Sequence, residues 1–338
     1  MANHRIPSES DGTLPVSGES SFRRLVAEAW SRRAALRTRT SAFRLLNGAA
    51  SGTPGLVVDV FSPYLVVYAY AADLRERYGD FARVLAEITG AGTIALKDRA
   101  SPEEGGRAGH LDLLGAVPET AAVREGPLEF ILHLRHPRNV GLFLDTRPLR
   151  ERLAELCRSH DVLNLFSYTC SLGVAGAIAN SGSVVNVDIS QRYLAMGREN
   201  FRANGLQEAK AKFVRMDSED YLDWASRKSL AFDVVILDPP SFSRSEKGVY
   251  SFVKDYWRLL EKCAGRLRPQ GRLFALTNYG QISPERFRGL LEETLERAGR
   301  RLSWLQPIPA PEDFDPGRVG ERLPGREGAL IVKESVLE

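Results

Sequence analysis

Four short segments of the chain carry residue types that could bind a nucleoside-like ligand. The loop Ser167–Gly173 (SYTCSLG) consists mainly of small residues, which would let the backbone approach a ligand closely. Asp188 and Asp217 each end an apolar run, where a carboxylate can accept hydrogen bonds from ribose hydroxyls or meet an adenine edge. Asp238-Pro239-Pro240 ends another run, and its prolines would stiffen a turn that presents backbone carbonyls and Ser241-Phe242 to a substrate.

Each of these segments also has a simpler structural interpretation. A loop of small residues after a strand is often only a turn, and an aspartate after a strand is commonly a helix cap. All four together, in this order, favour one ligand site at the carboxyl ends of successive strands. A dinucleotide-dependent oxidoreductase is a weaker alternative, because it requires G-x-G-x-x-G and SYTCSLG has a single glycine. Cys170 in this loop is interpreted as a small packed residue rather than a nucleophile.

The elements that must position these segments alternate between strand and helix. Residues 161–190 read as strand, loop, helix and strand, which is half of a nucleotide-binding βαβ unit. Further apolar runs predict strands over 212–217, 232–240 and 272–278, and periodic runs predict helices over 191–204, 251–267 and 282–299. Two late strands, at 303–308 and 328–333, could pair as a hairpin. This alternation predicts an α/β fold with a doubly wound sheet.

The sequence before this sheet divides into three parts. Residues 1–20 are polar and rich in Ser, Gly and Pro, so we expect a disordered tail. Residues 21–41 predict a basic helix, and residues 42–137 predict a small α+β accessory domain of the order strand-strand-helix-strand-strand, which we expect to bind substrate or RNA. Residues 138–338 then form the catalytic domain, in which Thr146 and Pro148 open a helix after GLFLD.

Basic residues cluster in places although the formal net charge is only +3. Six arginines, Arg32 and Arg33 among them, occur between residues 22 and 39, which is consistent either with an RNA-facing helix or with a solvated amphipathic helix. Arg244 and Lys247, in the SRSEKG loop after the Asp-Pro-Pro segment, are candidates for phosphate contact, and LRHPR (134–138) adds charge nearby.

The overall composition narrows the class of protein. The three cysteines show neither zinc nor disulfide spacing, and no run approaches the roughly 18 apolar residues of a membrane span. We therefore expect a cytoplasmic protein without a metal and without membrane association. The sequence leaves the oligomeric state open, a homodimer included.

Longer motifs make the chain resemble a known family. NLFSYT, VDIS, GLFLDTR and DPPSFSRS, at 138–245, are similar to segments of the bacterial class I S-adenosylmethionine-dependent methyltransferases of large-subunit rRNA. The resemblance covers about residues 22–338 and includes the small domain that precedes the catalytic one. It implies a Rossmann-like class I methyltransferase sheet and S-adenosylmethionine as the cofactor.

The resemblance also implies roles for individual residues. The residues expected at the cofactor are Phe143, Asp145, Arg147, Asn164, Phe166, Ser167, Tyr168, Thr169, Gly173, Asp188, Ile189, Asp217, Ser218 and Asp238. The residues expected at the methyl acceptor are Asp238, Pro239, Pro240, Phe242 and Asn278. The partner that the resemblance implies is RNA, with ribosomal RNA as the expected substrate class.

Two departures bear on which branch of the family the chain resembles. Members often carry an N-terminal PUA domain, for which this chain has no room at that end. The branch that methylates carbon 5 of cytosine carries a catalytic cysteine on the loop that here reads Leu276-Thr277-Asn278-Tyr279. Carbon 5 of cytosine is a poor nucleophile that needs covalent activation by a thiolate.

The branch that methylates N7 of guanine therefore matches better. N7 has an exposed lone pair and no proton to remove, so in-line transfer needs only orientation of the base. Three alternatives stay open: a small-molecule methyltransferase of the same fold, a 5-methylcytosine rRNA methyltransferase, and a non-catalytic RNA-binding protein. The acidic residues at 188 and 217 speak against the last.

Overall fold

The computed structural model describes residues 18–100, 109–206, 210–245, 248–300, 302–314 and 332–337, so almost all of the tail expected to be disordered lies outside the described residues. The helices are α1 (Glu19–Arg32), α2 (Leu36–Arg39), α3 (Tyr78–Thr89), α4 (Arg147–Leu156), α5 (Ser171–Ile178), α6 (Gln191–Ala203), α7 (Ser218–Arg227), α8 (Phe252–Ala264) and α9 (Pro284–Arg297).

The strands of the N-terminal half are β1 (Ala42–Asn47), β2 (Leu56–Phe61), β3 (Tyr64–Ala69), β4 (Thr93–Asp98), β5 (Gly109–Leu114), β6 (Thr120–Glu125) and β7 (Leu128–His133). Those of the C-terminal half are β8 (Asp161–Leu165), β9 (Ser183–Asp188), β10 (Ala211–Arg215), β11 (Phe232–Leu237), β12 (Phe242–Ser245), β13 (Gly248–Ser251), β14 (Leu267–Ala275), β15 (Leu302–Ile308) and β16 (Val332–Leu337).

The C-terminal half contains the predicted doubly wound sheet. Its strand order is β10-β9-β8-β11-β14-β16-β15, with the first five strands parallel and β16 antiparallel to both neighbours. The α/β prediction of a Rossmann-like sheet is confirmed. Because β8 lies between β9 and β11, the chain reverses direction across the sheet there and opens a crevice at the carboxyl ends of these strands.

Three predicted boundaries in this half need correction. β14 begins at Leu267 rather than at 272, because the Pro269–Gly271 interruption is absorbed as an irregularity between the Phe232–Leu267 and Val234–Arg272 pairs. The last strand lies at Val332–Leu337, four residues beyond the predicted start, and pairs with β15 as expected. GLFLD is not extended throughout; Leu144–Thr146 forms one turn of 3-10 helix before α4.

The N-terminal half is a five-stranded sheet in the order β1-β2-β3-β4-β5, followed by the β6–β7 hairpin. The sequence pattern missed β1 and β5. The predicted basic helix is split into α1 and α2, and α1 buries Phe22, Val26 and Ala29 against this sheet. Its amphipathic spacing is thus explained by packing.

The two halves share one hydrophobic core. Buried residues of the small sheet, such as Val66, belong to the same cluster as Leu149 of α4 and Val162 of β8. The chain also crosses back, since Asp313 accepts a hydrogen bond from the backbone N–H of Arg44 in β1 at 2.7 Å. The predicted boundary at residues 137 and 138 falls between β7 and α4 and stays a prediction. In the described part of the chain, no helix combines the length and apolar character needed to span a membrane.

Candidate active site

A cavity of about 700 Å³ lies at the carboxyl ends of β8, β9, β10 and β11. This volume is in the range of small-molecule and cofactor sites. Predicted site residues that line it are Phe143, Asn164, Phe166, Ser167, Tyr168, Asp188, Ile189, Asp217, Ser218, Asp238, Pro239, Pro240 and Asn278. A smaller cavity of about 410 Å³, lined by Asp161 and Ser183, lies at the opposite, amino ends of the strands.

The loop after β8 has an unusual backbone. Phe166, Tyr168 and Cys170 have φ angles of 54°, 50° and 59°, a region that non-glycine residues rarely adopt and that costs roughly 1 kcal/mol or more for each. The loop is held by the Ser167 N–H, which donates to the carbonyl of Val187 at 2.9 Å, and by the Thr169 hydroxyl, which donates to the carbonyl of Gly141 at 2.6 Å. The surrounding structure thus preorganises a bend at the cavity wall.

Asp188 is fixed at the end of β9 by two backbone amides. Its Oδ2 accepts from the N–H of Tyr168 and its Oδ1 from the N–H of Ser190, each at 2.8 Å. Burial raises the pKa of this carboxyl, while the two amide hydrogen bonds act in the opposite direction. Each carboxylate oxygen keeps a second lone pair, so the group can still accept hydrogen bonds from a ligand.

Asn164, beneath the same loop, offers a further acceptor. It is 1% exposed, and its Nδ2 donates to Oδ1 of Asn186 at 3.0 Å. Its own Oδ1 is buried and has no hydrogen-bond partner within the described residues, although it borders the cavity. A buried acceptor without a partner costs about 1–3 kcal/mol, which a donor on a bound ligand would recover.

Asp217 lies at the predicted ligand site and also acts as a helix cap, which was the simpler structural interpretation. Its carboxylate caps α7, accepting from the N–H of Glu219 at 2.9 Å and of Asp220 at 3.4 Å, and it also lines the cavity. The next residue, Ser218, is buried and accepts from the N–H of Phe166 at 3.2 Å. This bond joins the end of β10 to the loop after β8.

A pair of carboxyl groups marks the other end of the cavity. Burial, and then the negative charge of Asp145, raise the pKa of Asp238 to about 7. Asp145 itself does not line the cavity, but its Oδ1 is buried and lacks a hydrogen-bond partner in the described part of the chain. Near neutral pH, Asp238 is therefore present in both protonated and ionised forms.

Asn278 stands next to this pair on the loop after β14. The hydroxyl of Ser241 donates to its Oδ1, which orients the amide beside Pro239 and Pro240. Phe242 and Arg244 lie in β12, but their side chains, like all of Lys247, fall outside the described residues. Their predicted contacts with the base and the phosphate stay predictions.

Several predicted site residues lie away from the cavity. Arg147 is 4% exposed and binds Asp313 at 2.7 Å and the carbonyl of Ala42 at 2.9 Å, so it joins the two halves of the fold and does not line the cavity. Thr169 does not line the cavity and supports its loop. Gly173 is also absent from the lining; a Cβ there would lie 2.1 Å from Oδ1 of Asn186, so the glycine permits α5 to pack on β9.

Arg32 and Arg33, which were predicted to face RNA, differ in their exposure to solvent. Arg33 is 3% exposed, and its guanidinium donates to the carbonyls of Arg44 at 2.9 Å and Asp313 at 2.8 Å. It is a buried structural residue, which corrects its assignment to RNA binding. Arg32 is exposed at the end of α1, and its RNA contact stays a prediction.

All three cysteines are free and buried. Burial raises the pKa of Cys170 to about 12, and the Cys263 thiol is shifted in the same direction. Gly197 accommodates the Cys170 sulfur, because a Cβ at residue 197 would lie 2.4 Å from it. Cys170 is thus a packing residue. Within the described ranges, no group of three or more His, Cys, Asp or Glu side chains could hold a metal ion.

Other lining residues were missed by the sequence analysis. Arg138 and Asn139 come from the segment after β7, Tyr193 from α6 and Tyr250 from β13. Tyr168 packs against Phe143 and Tyr193, with ring centroids 5.1 and 4.5 Å apart, so aromatic side chains line one side of the cavity. Two of them carried a sequence signal: Arg138 ends the basic segment LRHPR, and Tyr193 lies in the first turn of the helix that follows Asp188.

This chain is similar to known proteins over most of its length. The family of S-adenosylmethionine-dependent methyltransferases matches residues 82–319. The protein named ribosomal RNA large subunit methyltransferase from Deinococcus radiodurans is 32% identical over 78% of this chain, which spans 65% of that protein. The one named ribosomal RNA large subunit methyltransferase K/L from Chromohalobacter salexigens is 34% identical over 66% of this chain, which spans only 31% of it.

A solved structure agrees with the fold. The protein SMU.776, crystallised with SAH, superposes with a TM-score of 0.82 and 25% identity, covering 94% of this chain and 81% of its own. The family match covers well over half of the present sequence and includes every residue that lines the cavity. The chain therefore belongs to the S-adenosylmethionine-dependent methyltransferases.

Proposed function

We propose that this protein methylates a base of large-subunit ribosomal RNA and that N7 of guanine is the acceptor atom. The observation that carries the proposal is a single cavity with two unlike ends. One end, at Asp188 and Asp217, suits a nucleoside-bearing cofactor. The other, at Asp238–Pro240 and Asn278, suits a base, and no reactive thiol lies near it among the described residues.

The residues of the first end fit S-adenosylmethionine. Asp188 keeps a free lone pair on each oxygen for the ribose hydroxyls, and Ile189, which is 49% exposed, offers an apolar surface for adenine. Asn164 Oδ1 offers an acceptor to the ammonium or hydroxyl groups of the ligand. When bound, S-adenosylmethionine supplies a methyl group activated by its sulfonium.

The residues of the second end suit an acceptor that loses no proton. Methylation of guanine N7 leaves a positive charge on the base. The Asp238 carboxylate, which lines the cavity, would stabilise such a charge, and Asp145 adds negative charge close to Asp238 without lining the cavity. Backbone carbonyls of Pro239 and Pro240 and the amide of Asn278 are available for hydrogen bonds to base edges. Catalysis here rests on orientation and electrostatics.

The carbon-5 cytosine alternative requires a thiolate, and this chain offers none in the cavity. Cys170 is 0% exposed and its raised pKa keeps it protonated at neutral pH.

Support for ribosomal RNA as the substrate comes from the names of the two relatives described above, of which this chain spans 65% and 31%.

The decisive experiment is nucleoside mass spectrometry of large-subunit rRNA from a strain that lacks the gene. We expect 7-methylguanosine to fall and to be restored by the wild-type gene but not by Asp188→Asn, because the amide places a donor against the Tyr168 or Ser190 N–H. Asp80→Asn, a change at a half-exposed residue of α3, is the matched control. Loss of 5-methylcytidine instead would contradict the N7 assignment, and unchanged rRNA would contradict the substrate.

Calorimetry tests the cofactor site separately. Wild-type protein should bind S-adenosylmethionine, and Asp188→Asn should weaken binding by about tenfold or more, since hydrogen bonds to a charged group contribute roughly 1.5–3 kcal/mol. Equal affinity of the two proteins would refute the assignment of Asp188 to the ribose.

A further inference from the structure

Positively charged side chains from three separate elements lie around His136, next to the cavity residues Arg138 and Tyr193. Lys97, at the end of β4, donates to the carbonyl of His136 at 2.9 Å, and the N–H of Arg138 donates to Nδ1 of His136 at 3.3 Å. The guanidinium of Arg99 donates to the carbonyl of Arg138. The ring of His136 lies 6.0 Å from that of Tyr193, the residue after Arg192 in α6.

Two of the carboxylates close to this cluster are already engaged. Asp112 binds Arg135 at 2.7 Å, and Glu199 binds His133 at 2.9 Å. Arg138 and Arg192 are both exposed, and across the described residues no hydrogen bond or ion pair engages either guanidinium. Arg138 also lines the cavity.

The lowered pKa of His136 agrees with a positive electrostatic potential next to the cavity. The residue is 7% exposed, and its pKa is lowered first by burial and then by the charges of Arg192, Lys97, His133 and Arg138. His136 is therefore neutral at pH 7. Among the described residues no carboxylate pairs with Arg138 or Arg192, so these two side chains can attract an anion.

The N-terminal helix, which the arginine count singled out, is different. Arg23 is paired with Glu19 and with Glu87 at 2.6 Å, and Arg39 is paired with Glu312. Arg33 is buried. Much of the charge that the sequence places between residues 22 and 39 is thus neutralised or enclosed, whereas that of Arg138 and Arg192 is not.

We propose that Arg138 and Arg192 form a phosphate-binding edge that holds the RNA backbone next to the target base at the cavity mouth. The proposal rests on the proposed function, since it names where that substrate docks. Tyr168, Tyr193 and Phe143 line the same side of the cavity, and aromatic rings beside paired cations are the combination that binds single-stranded nucleic acid, with bases stacked and phosphates neutralised.

The test compares Arg138→Gln, Arg192→Gln and the double variant with wild type. Arg158→Gln is the matched control, because Arg158 is equally exposed but precedes the amino end of β8, across the sheet from the cavity. Filter binding uses large-subunit rRNA from the deletion strain, at salt concentrations from about 50 to about 200 mM. Calorimetry of each variant with S-adenosylmethionine runs in parallel.

We expect each single variant to reduce the slope of log K against log salt by about 0.7–0.9, and the double variant to weaken rRNA binding on the order of tenfold. The control and the cofactor affinities should stay unchanged. Normal rRNA binding by the double variant would overturn this proposal while leaving the proposed function intact. Loss of cofactor affinity in Arg138→Gln with normal rRNA binding would also overturn it and make Arg138 a cofactor residue.

Failure of the proposed function has a separate signature. In that case the wild-type protein itself neither binds nor methylates the rRNA, and both proposals fall together. Methylation by wild type with unaltered binding by all three variants removes only the phosphate-binding edge.

Discussion

Gly173 and Gly176 both lie in α5, and we expect Gly→Ala to have opposite effects on stability at the two positions. A Cβ at Gly173 would lie 2.1 Å from Oδ1 of Asn186, a distance that atoms cannot maintain. A Cβ at Gly176 would lie 3.6 Å from Cγ2 of Val162, which is ordinary van der Waals contact. Both residues are buried in α5, so Gly→Ala differs between them mainly in the available space.

The relative sizes of the opposing energy contributions decide whether each substitution stabilises or destabilises the protein. Replacing a helical glycine with alanine contributes about 0.8–1 kcal/mol of stability through propensity. At residue 173 this gain opposes an overpacking cost of about 1–3 kcal/mol and the loss of the 3.0 Å bond between Asn164 and Asn186, which adds roughly 1 kcal/mol or more. We therefore expect Gly173→Ala to lower the free energy of unfolding by about 2 kcal/mol and Gly176→Ala to leave it equal or higher.

The assay is urea or thermal unfolding followed by circular dichroism, together with calorimetry of S-adenosylmethionine binding. Asn186→Ala in the Gly173→Ala background should recover part of the loss, because the double variant removes the atom that clashes; a coupling of about 1–2 kcal/mol is expected. Recovery of cofactor affinity along with stability would show that Gly173 acts through packing.

Two results would refute this reasoning. Gly173→Ala as stable as wild type would mean that Asn186 moves aside at no cost. Loss of cofactor affinity at full stability, without recovery by Asn186→Ala, would mean that Gly173 contacts the cofactor, as the sequence resemblance implied.

The remaining predictions concern charge and burial elsewhere. Asp313→Ala should destabilise the protein by about 3–5 kcal/mol in chemical unfolding, because buried Arg147 loses its 2.7 Å ion pair and keeps only the longer one with Glu125 at 3.5 Å; a loss below about 1 kcal/mol would contradict this. The pKa of Asp238 is raised to about 7, so ionisation of this carboxyl destabilises the folded protein as the pH rises. Asp238→Asn should therefore be thermally more stable than wild type at about pH 8 and lose that advantage towards about pH 5. A difference in stability that does not depend on pH would disprove this prediction. Native Cys170 should resist iodoacetamide until urea unfolds the chain, as read by mass spectrometry, and rapid native alkylation would exclude a buried thiol.

Much of the catalytic half could be predicted from local patterns. The runs that became β8, β9 and β11 are apolar and of strand length, and acidic residues stand at the carboxyl ends of β9, β10 and β11, where a doubly wound sheet forms its crevice. Parallel topology then brings Asp188, Asp217 and Asp238 to one cavity although 50 residues separate the first from the last.

The N-terminal half was less predictable. β1 and β5 lack a clear alternation, and the arginine spacing of residues 22–39 looks the same whether the side chains face RNA or a neighbouring carboxylate. The partner of Arg33 lies at Asp313, 280 residues away, which no local pattern can indicate.

The sequence by itself determined the order of the parallel strands in the C-terminal half, the loop Ser167–Gly173 and the acids at the strand ends, because these depend on periodicity and on the residue types at each turn. Only the tertiary structure decided which of the implied residues reach the ligand. Arg147 binds Asp313, Gly173 makes room for the side chain of Asn186, and Arg138 and Arg192 both lie near His136, because burial and pairing depend on contacts between segments that are distant along the chain.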